Sequence, residues 1–276
     1  MSGEVAPSRR RLTAEVLIVL GLSFGQSALY AVVAIINRST REQSLAQQST
    51  TINTALSDRE VFDLIYQLMA VVFDLVPVAL VAFLLWRATR PHLARLGVDF
   101  TRPAGDTGWA LVLAVVIGAG GLVVYVSGRA LGWNLNVVAT GFEDAYWWTI
   151  PVLLLRAATA GITEEVIVVG YLFARLRDLG WRDGWIIVGA AILRGSYHLY
   201  QGFGSFVGNV LMGLLFGLLY TRGPASIRGR VLPFVIAHFL IDAVIFVGYP
   251  WAASTFPELL MVPSPTPTPT PSPSTP

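Results

Sequence analysis

The chain has 276 residues, 54% hydrophobic and 13% charged, with a mean hydropathy of +0.63, a balance that excludes an ordinary water-soluble domain. Several apolar runs of about 20 residues are more than one core of this size can bury, so lipid is the main solvent. The formal charge of +2 rests on arginines set between apolar stretches, which argues against nucleic acid, and the absence of cysteine removes thiol nucleophiles, disulfides and thiolate metal sites.

In chain order, apolar runs predict seven transmembrane helices at about 14–36, 61–86, 107–131, 148–175, 184–201, 205–221 and 232–249, an all-α, polytopic membrane helix bundle. The first follows Arg9, Arg10 and Arg11 and is too long, without a small-residue cleavage site, for a removed signal; it reads as an anchor. Arg87, Arg90, Arg95 and Arg102, then Arg175, Arg177 and Arg182, then Arg222, Arg228 and Arg230 fall in alternate loops, which predicts a multi-pass cell-membrane protein with the N-terminus cytoplasmic and the C-terminus exterior. The expected division is a cytoplasmic stretch at 1–13, N-terminal helices at 14–147, a membrane core at 148–249 and a disordered Pro/Thr/Ser-rich tail at 250–276.

An ionisable group at bilayer depth costs about 2.5–3.5 kcal/mol on insertion scales, so each needs a partner or a task. They are Asp63 and Asp74 in the second predicted span, Arg156, Glu164 and Glu165 in the fourth, Arg194 and His198 in the fifth, and His238 and Asp242 in the seventh. Glu164 and Glu165 stand about 100° apart on a helix, so one should lead in any shared site, and either could instead pair with Arg156 or Arg194 as bundle glue. His238 and Asp242 lie one turn apart on one face. A carboxylate with two imidazoles can activate water as a general base or hold a metal, and imidazole N–H groups can stabilise an oxyanion. Neither the His-Glu-x-x-His nor the Gly-x-Ser-x-Gly pattern is present. On chemistry alone, a hydrolase and a proton-coupled transporter both remain open. Gly204 with Gly208, and Gly213 with Gly217, are spaced to admit a close neighbouring helix.

Thr163-Glu164-Glu165-Val166-Ile167-Val168-Val169-Gly170-Tyr171, then Arg194-Gly195-Ser196-Tyr197-His198, then His238-Phe239-Leu240-Ile241-Asp242 resemble, in this order, the three motifs of the CAAX protease and bacteriocin-processing (CPBP, or Abi) family of intramembrane endopeptidases. The resemblance covers roughly residues 150–249. It implies hydrolysis of a membrane-associated peptide or protein substrate among lipids, with Glu164 activating water, His198 assisting, and His238 and Asp242 at the oxyanion. A zinc site and a metal-free glutamate mechanism both stay open, as does a non-catalytic scaffold or bacteriocin self-immunity role. Two positions depart from the family pattern: its first-motif Arg is Val169 here, and its second-motif Phe is Arg194. Arg194 sits a turn before His198, where it could give Glu165 or Glu164 the positive partner that Val169 cannot.

Overall fold

The computed structural model describes residues 7–85, 93–139 and 146–255. The tail from 256 onward, with Arg87 and Arg90, lies outside the described residues. What is described is mostly helical: α1 (Arg9–Gly21), α2 (Phe24–Ser39), α3 (Glu60–Asp74), α4 (Val76–Leu84), α5 (Pro103–Ala130), α6 (Thr149–Glu164), a π-helical segment (Glu165–Tyr171), α7 (Leu172–Asp178), α8 (Asp183–Tyr197), α9 (Phe203–Arg222) and α10 (Leu232–Thr255). α10 runs past the expected end of its span at 249.

Breaks in these helices have local causes. α1 and α2 meet at a 53° bend. There Ser23 leaves helical geometry and its hydroxyl donates back to the Val19 carbonyl at 2.7 Å. A Cβ on Gly25 would stand 2.7 Å from the Leu20 carbonyl oxygen, so the bend needs a glycine. Pro77, in the first turn of α4, lacks the N–H that would carry α3 through.

Four helices are long and apolar enough to cross a membrane: Glu60–Leu84, Pro103–Ala130, Phe203–Arg222 and Leu232–Ala252; the bent α1–α2 pair, taken as one span, makes five. The expected count of seven is therefore not reproduced by length and apolarity. The two missing passes are α8, only 15 residues long, and the stretch from α6 to α7, which carries Arg156 and both glutamates. Outward faces are apolar, with Phe83 73% and Val115 71% exposed, the inside-out surface of a multi-pass membrane protein.

The bundle is tight where side chains are small. A Cβ on Gly213 would meet Ala191 Cα at 2.8 Å and one on Gly217 would meet Ile187 and Phe173 at 3.1 Å, so α9 lies directly on α8. α10 packs on α6 and α5, and α2 packs on α8. One feature escaped the all-α expectation: β1 (Ser49–Ile52) pairs in parallel with β2 (Asn136–Ala139), joining two loops at one end of the bundle. At the opposite end Arg9 donates to the Leu179 carbonyl at 2.7 Å, and Arg230 reaches both Asp99 and Asp106. Residues near 9, 99, 179 and 230 thus share one arginine-rich end.

Candidate active site

α6 delivers Glu164 at its last residue and the π-helical segment begins with Glu165. All seven residues of that segment are buried, and the wider turn is a form that concentrates at functional sites. Glu165 is fully buried and its two oxygens both accept from Arg194 Nη2 at 2.7 Å. Arg194, also fully buried, reaches Glu164 Oε2 with Nη1 at 3.6 Å and contacts the Met212 sulfur at 3.7 Å. Separations of 2.7 and 3.6 Å lie well inside the distance of about 6 Å at which an opposite charge stabilises a carboxylate. The positive partner that Val169 cannot provide is thus supplied across the bundle from α8. Val169 itself is buried among apolar side chains of the core.

α10 completes the cluster. His238 Nδ1 donates to Glu165 Oε1 at 2.8 Å, while Nε2 stands 3.5 Å from Asp242 Oδ2, too long for a good hydrogen bond. Gly161 allows this approach, because a Cβ there would lie 2.9 Å from the Val235 carbonyl oxygen. The expected link between His238 and Asp242 is therefore secondary to one between His238 and Glu165. His198, just past the end of α8, donates from Nδ1 to the Arg194 carbonyl at 3.0 Å, and among the described residues Nε2 carries no hydrogen bond. It interacts electrostatically with Glu164.

Two glutamates that begin alike end in different settings. Glu165 is closed off by Arg194 and His238. Glu164 accepts from the Tyr197 hydroxyl through Oε2 at 2.7 Å, and among the described residues Oε1 carries no hydrogen bond. Glu164 also lines a cavity of about 360 Å³, walled by Phe24, Phe73, Asp74, Pro77, Arg156 and Thr163, among others. Sequence reasoning missed Tyr197, whose ring stacks on Phe24 at 4.6 Å just beyond the α1–α2 bend. A buried tyrosine is ordinary, and only its place beside His198 in the second motif hinted at a role.

The remaining intramembrane charges make no hydrogen bond to this cluster among the described residues, although Asp74 and Arg156 line the same cavity as Glu164. Arg156 donates to Gln67 Oε1 at 2.6 Å, and Gln67 in turn donates to Asp63, which also accepts from the Leu56 amide at 2.7 Å. Arg156 is thus not the partner of either glutamate. Asp74 shares the cavity wall with it.

Ligand atoms of Glu164, Glu165 and His238 lie within 4.8 Å of one another. Their surroundings do not suit a divalent metal. Both Glu165 oxygens and His238 Nδ1 are already engaged, and the Arg194 guanidinium sits where a second cation would be repelled.

Buried Glu, His and Arg side chains from three helices beside a cavity give this membrane helix bundle a polar centre. Residues 146–244, which hold all three motifs, match the family model described as Type II CAAX prenyl endopeptidase Rce1-like. The segment is thus similar to a membrane endopeptidase family of the CAAX protease (CPBP) type, the one that the motifs resemble. No curated protein and no solved structure matched the chain.

Proposed function

We propose that the protein is an intramembrane endopeptidase in which Glu164 activates the water that attacks a peptide bond near the membrane. One observation carries the reading: of two adjacent carboxylates, Glu165 is locked into an ion pair, whereas Glu164 keeps one oxygen without a hydrogen bond among the described residues and lines the cavity. A general base needs a free oxygen, a fixed orientation and access to water.

In this reading each neighbour has a task. The Tyr197 hydroxyl fixes Glu164 Oε2, so that Oε1 receives the proton. Arg194 keeps the paired carboxylates from repelling each other and holds α8 against α6. His198, whose Nε2 carries no hydrogen bond among the described residues, assists proton transfer to the leaving amine. His238, steered by Glu165 and facing Asp242, stands on the side where the carbonyl oxygen becomes an oxyanion. No step requires a metal. The arginine-rich end faces the cytoplasm, and both α8 and the α6–α7 stretch cross the bilayer with their polar residues turned inward.

The test is cleavage of a fluorescence-quenched, prenylated CAAX peptide by the purified protein in lipid nanodiscs, beside comparative proteomics of membrane peptides from cells with wild type or Glu164→Ala. Products that depend on Glu164 are expected. Folded wild type that yields no Glu164-dependent product in either assay would reject the peptidase in favour of a non-catalytic scaffold.

A further inference from the structure

A second polar cavity lies at the arginine-rich end of the bundle, where α7 follows the first motif. Its volume is about 240 Å³, and Arg95, Arg175, Arg177, Asp178, Tyr220, Leu85, Leu96 and Ala174 line it. Among the described residues, three arginines and a single acidic residue therefore line one space.

The partners of Arg175 and Arg177 fix their posture without using every donor. Arg175 Nη1 meets Asp178 at 3.1 Å, and Nη2 meets Glu15 at 3.0 Å and the Leu84 carbonyl at 2.7 Å. Its Nε is buried with no hydrogen-bond partner, although the side chain is only 11% exposed. Leaving such a donor unmet costs about 1–3 kcal/mol. Arg177 binds Asp183 through Nε and Nη2 at 2.8 and 3.1 Å, and these bonds leave Nη1 over. Arg95 Nη1 donates to the Leu85 carbonyl at 3.5 Å.

We propose that this cavity binds a phosphate group presented by an anionic lipid headgroup. Guanidinium edges match phosphate oxygens in planar geometry better than any other side chain does. The space takes one phosphate with a few waters, each of which fills about 30 Å³ in the liquid. Leu85, Leu96 and Ala174 give the same wall an apolar part. That suits a diester whose acyl chains continue along the bundle better than it suits a fully hydrated ion. Basic pockets between helix ends on the arginine-rich side of a membrane protein are where anionic headgroups bind. The phosphate would tie α7 to α9 and to the 93–96 turn. The site stands whether or not Glu164 is the catalytic base.

Native mass spectrometry and thermal unfolding in nanodiscs test it, with phosphatidylcholine alone compared with phosphatidylcholine containing phosphatidylglycerol. Wild type should retain phosphatidylglycerol and gain about 3 °C in Tm in the mixed nanodiscs. The double variant Arg95→Gln/Arg177→Gln should lose both effects, Arg95→Lys should keep most of the retention, and Arg10→Gln, an exposed arginine of the same end, should keep it fully. Stabilisation by inorganic phosphate in pure phosphatidylcholine, lost in the double variant, would keep the anion site but assign it to free phosphate. Equal losses in Arg10→Gln and the double variant, or no effect of phosphatidylglycerol and of phosphate on wild type, would overturn the proposal. If the double variant fails to fold, the same comparison is read from wild type against Arg95→Gln alone.

Discussion

Arg194 and Arg230 are both gripped by two acidic residues, yet the two clusters differ in whether the grip is closed. Arg230 donates from Nε and Nη2 to the two oxygens of Asp106 at 2.7 and 2.6 Å, and from Nη2 to Asp99 at 3.0 Å. Asp106 is fully buried, and the pair fastens the start of α5 to the start of α10. Arg194 closes Glu165 in the same way but holds Glu164 only at 3.6 Å, on a cavity wall. An ion cluster whose buried carboxylate, here Asp106, has both oxygens engaged is a fastener. One that leaves an oxygen beside a cavity can do chemistry.

The largest effect that would break this contrast is on activity. Glu164→Gln should lower peptidase kcat by about 10²–10⁴-fold with Tm in nanodiscs unchanged; retained cleavage would move the base elsewhere. Arg194→Met should leave Glu165 buried with His238 but without its guanidinium, at a cost of about 3–5 kcal/mol, read as a loss of folded protein in size-exclusion and thermal unfolding. Asp106→Ala, at the closed cluster, should cost about 3 kcal/mol in stability while the fraction that folds keeps its kcat. Parallel losses of activity and stability in both clusters would erase the difference between them.

A finer test is Tyr197→Phe, which removes the hydrogen bond to Glu164 but keeps the ring against Phe24. Bonds to charged groups are worth about 1.5–3 kcal/mol, so kcat should fall about 10–100-fold with KM nearly constant.

The smallest effect concerns Asp99, outside the spans. Hydrogen bonds from the Thr101 hydroxyl and then from Arg230 hold its carboxyl at about 2, below the ordinary 3.8. A carboxylate with a depressed folded-state value contributes stability that is fully present above the ordinary value and is lost as pH falls through the folded one. Tm should therefore drop between about pH 4 and pH 2 by a small, salt-sensitive amount that Asp99→Asn abolishes.

Much of this was legible because charge in lipid is costly. That single fact picked out Glu164, Glu165, Arg194, His198, His238 and Asp242 before any coordinates, and spacing put Arg194 on the right face of α8 to meet the glutamates. Hydropathy located most helices but not their breaks. The α1–α2 bend depends on one serine rotamer and one glycine, and the π-helical segment on one misplaced turn, both too local to alter an apolar run of 20 or so residues. The β1–β2 pair was invisible for another reason: two four-residue strands in separate loops carry no period long enough to read. Tyr197 went unassigned because its function lies in the atom it touches, and nothing in its residue type reveals that.

The guanidinium's position on α8 rather than at residue 169 also bears on how the chain is built. A nascent chain that ends at Asp178 already contains both glutamates but not yet Arg194. Until α8 is synthesised and docks, those two acids have no cation from it and each other as neighbour, so the first half has strong reason to stay loosely packed. Co-expressed halves split in the short loop between Asp178 and Asp183 should each be degraded alone and be rescued together, and the arrival of one arginine is what would convert a tolerated insertion intermediate into a finished core.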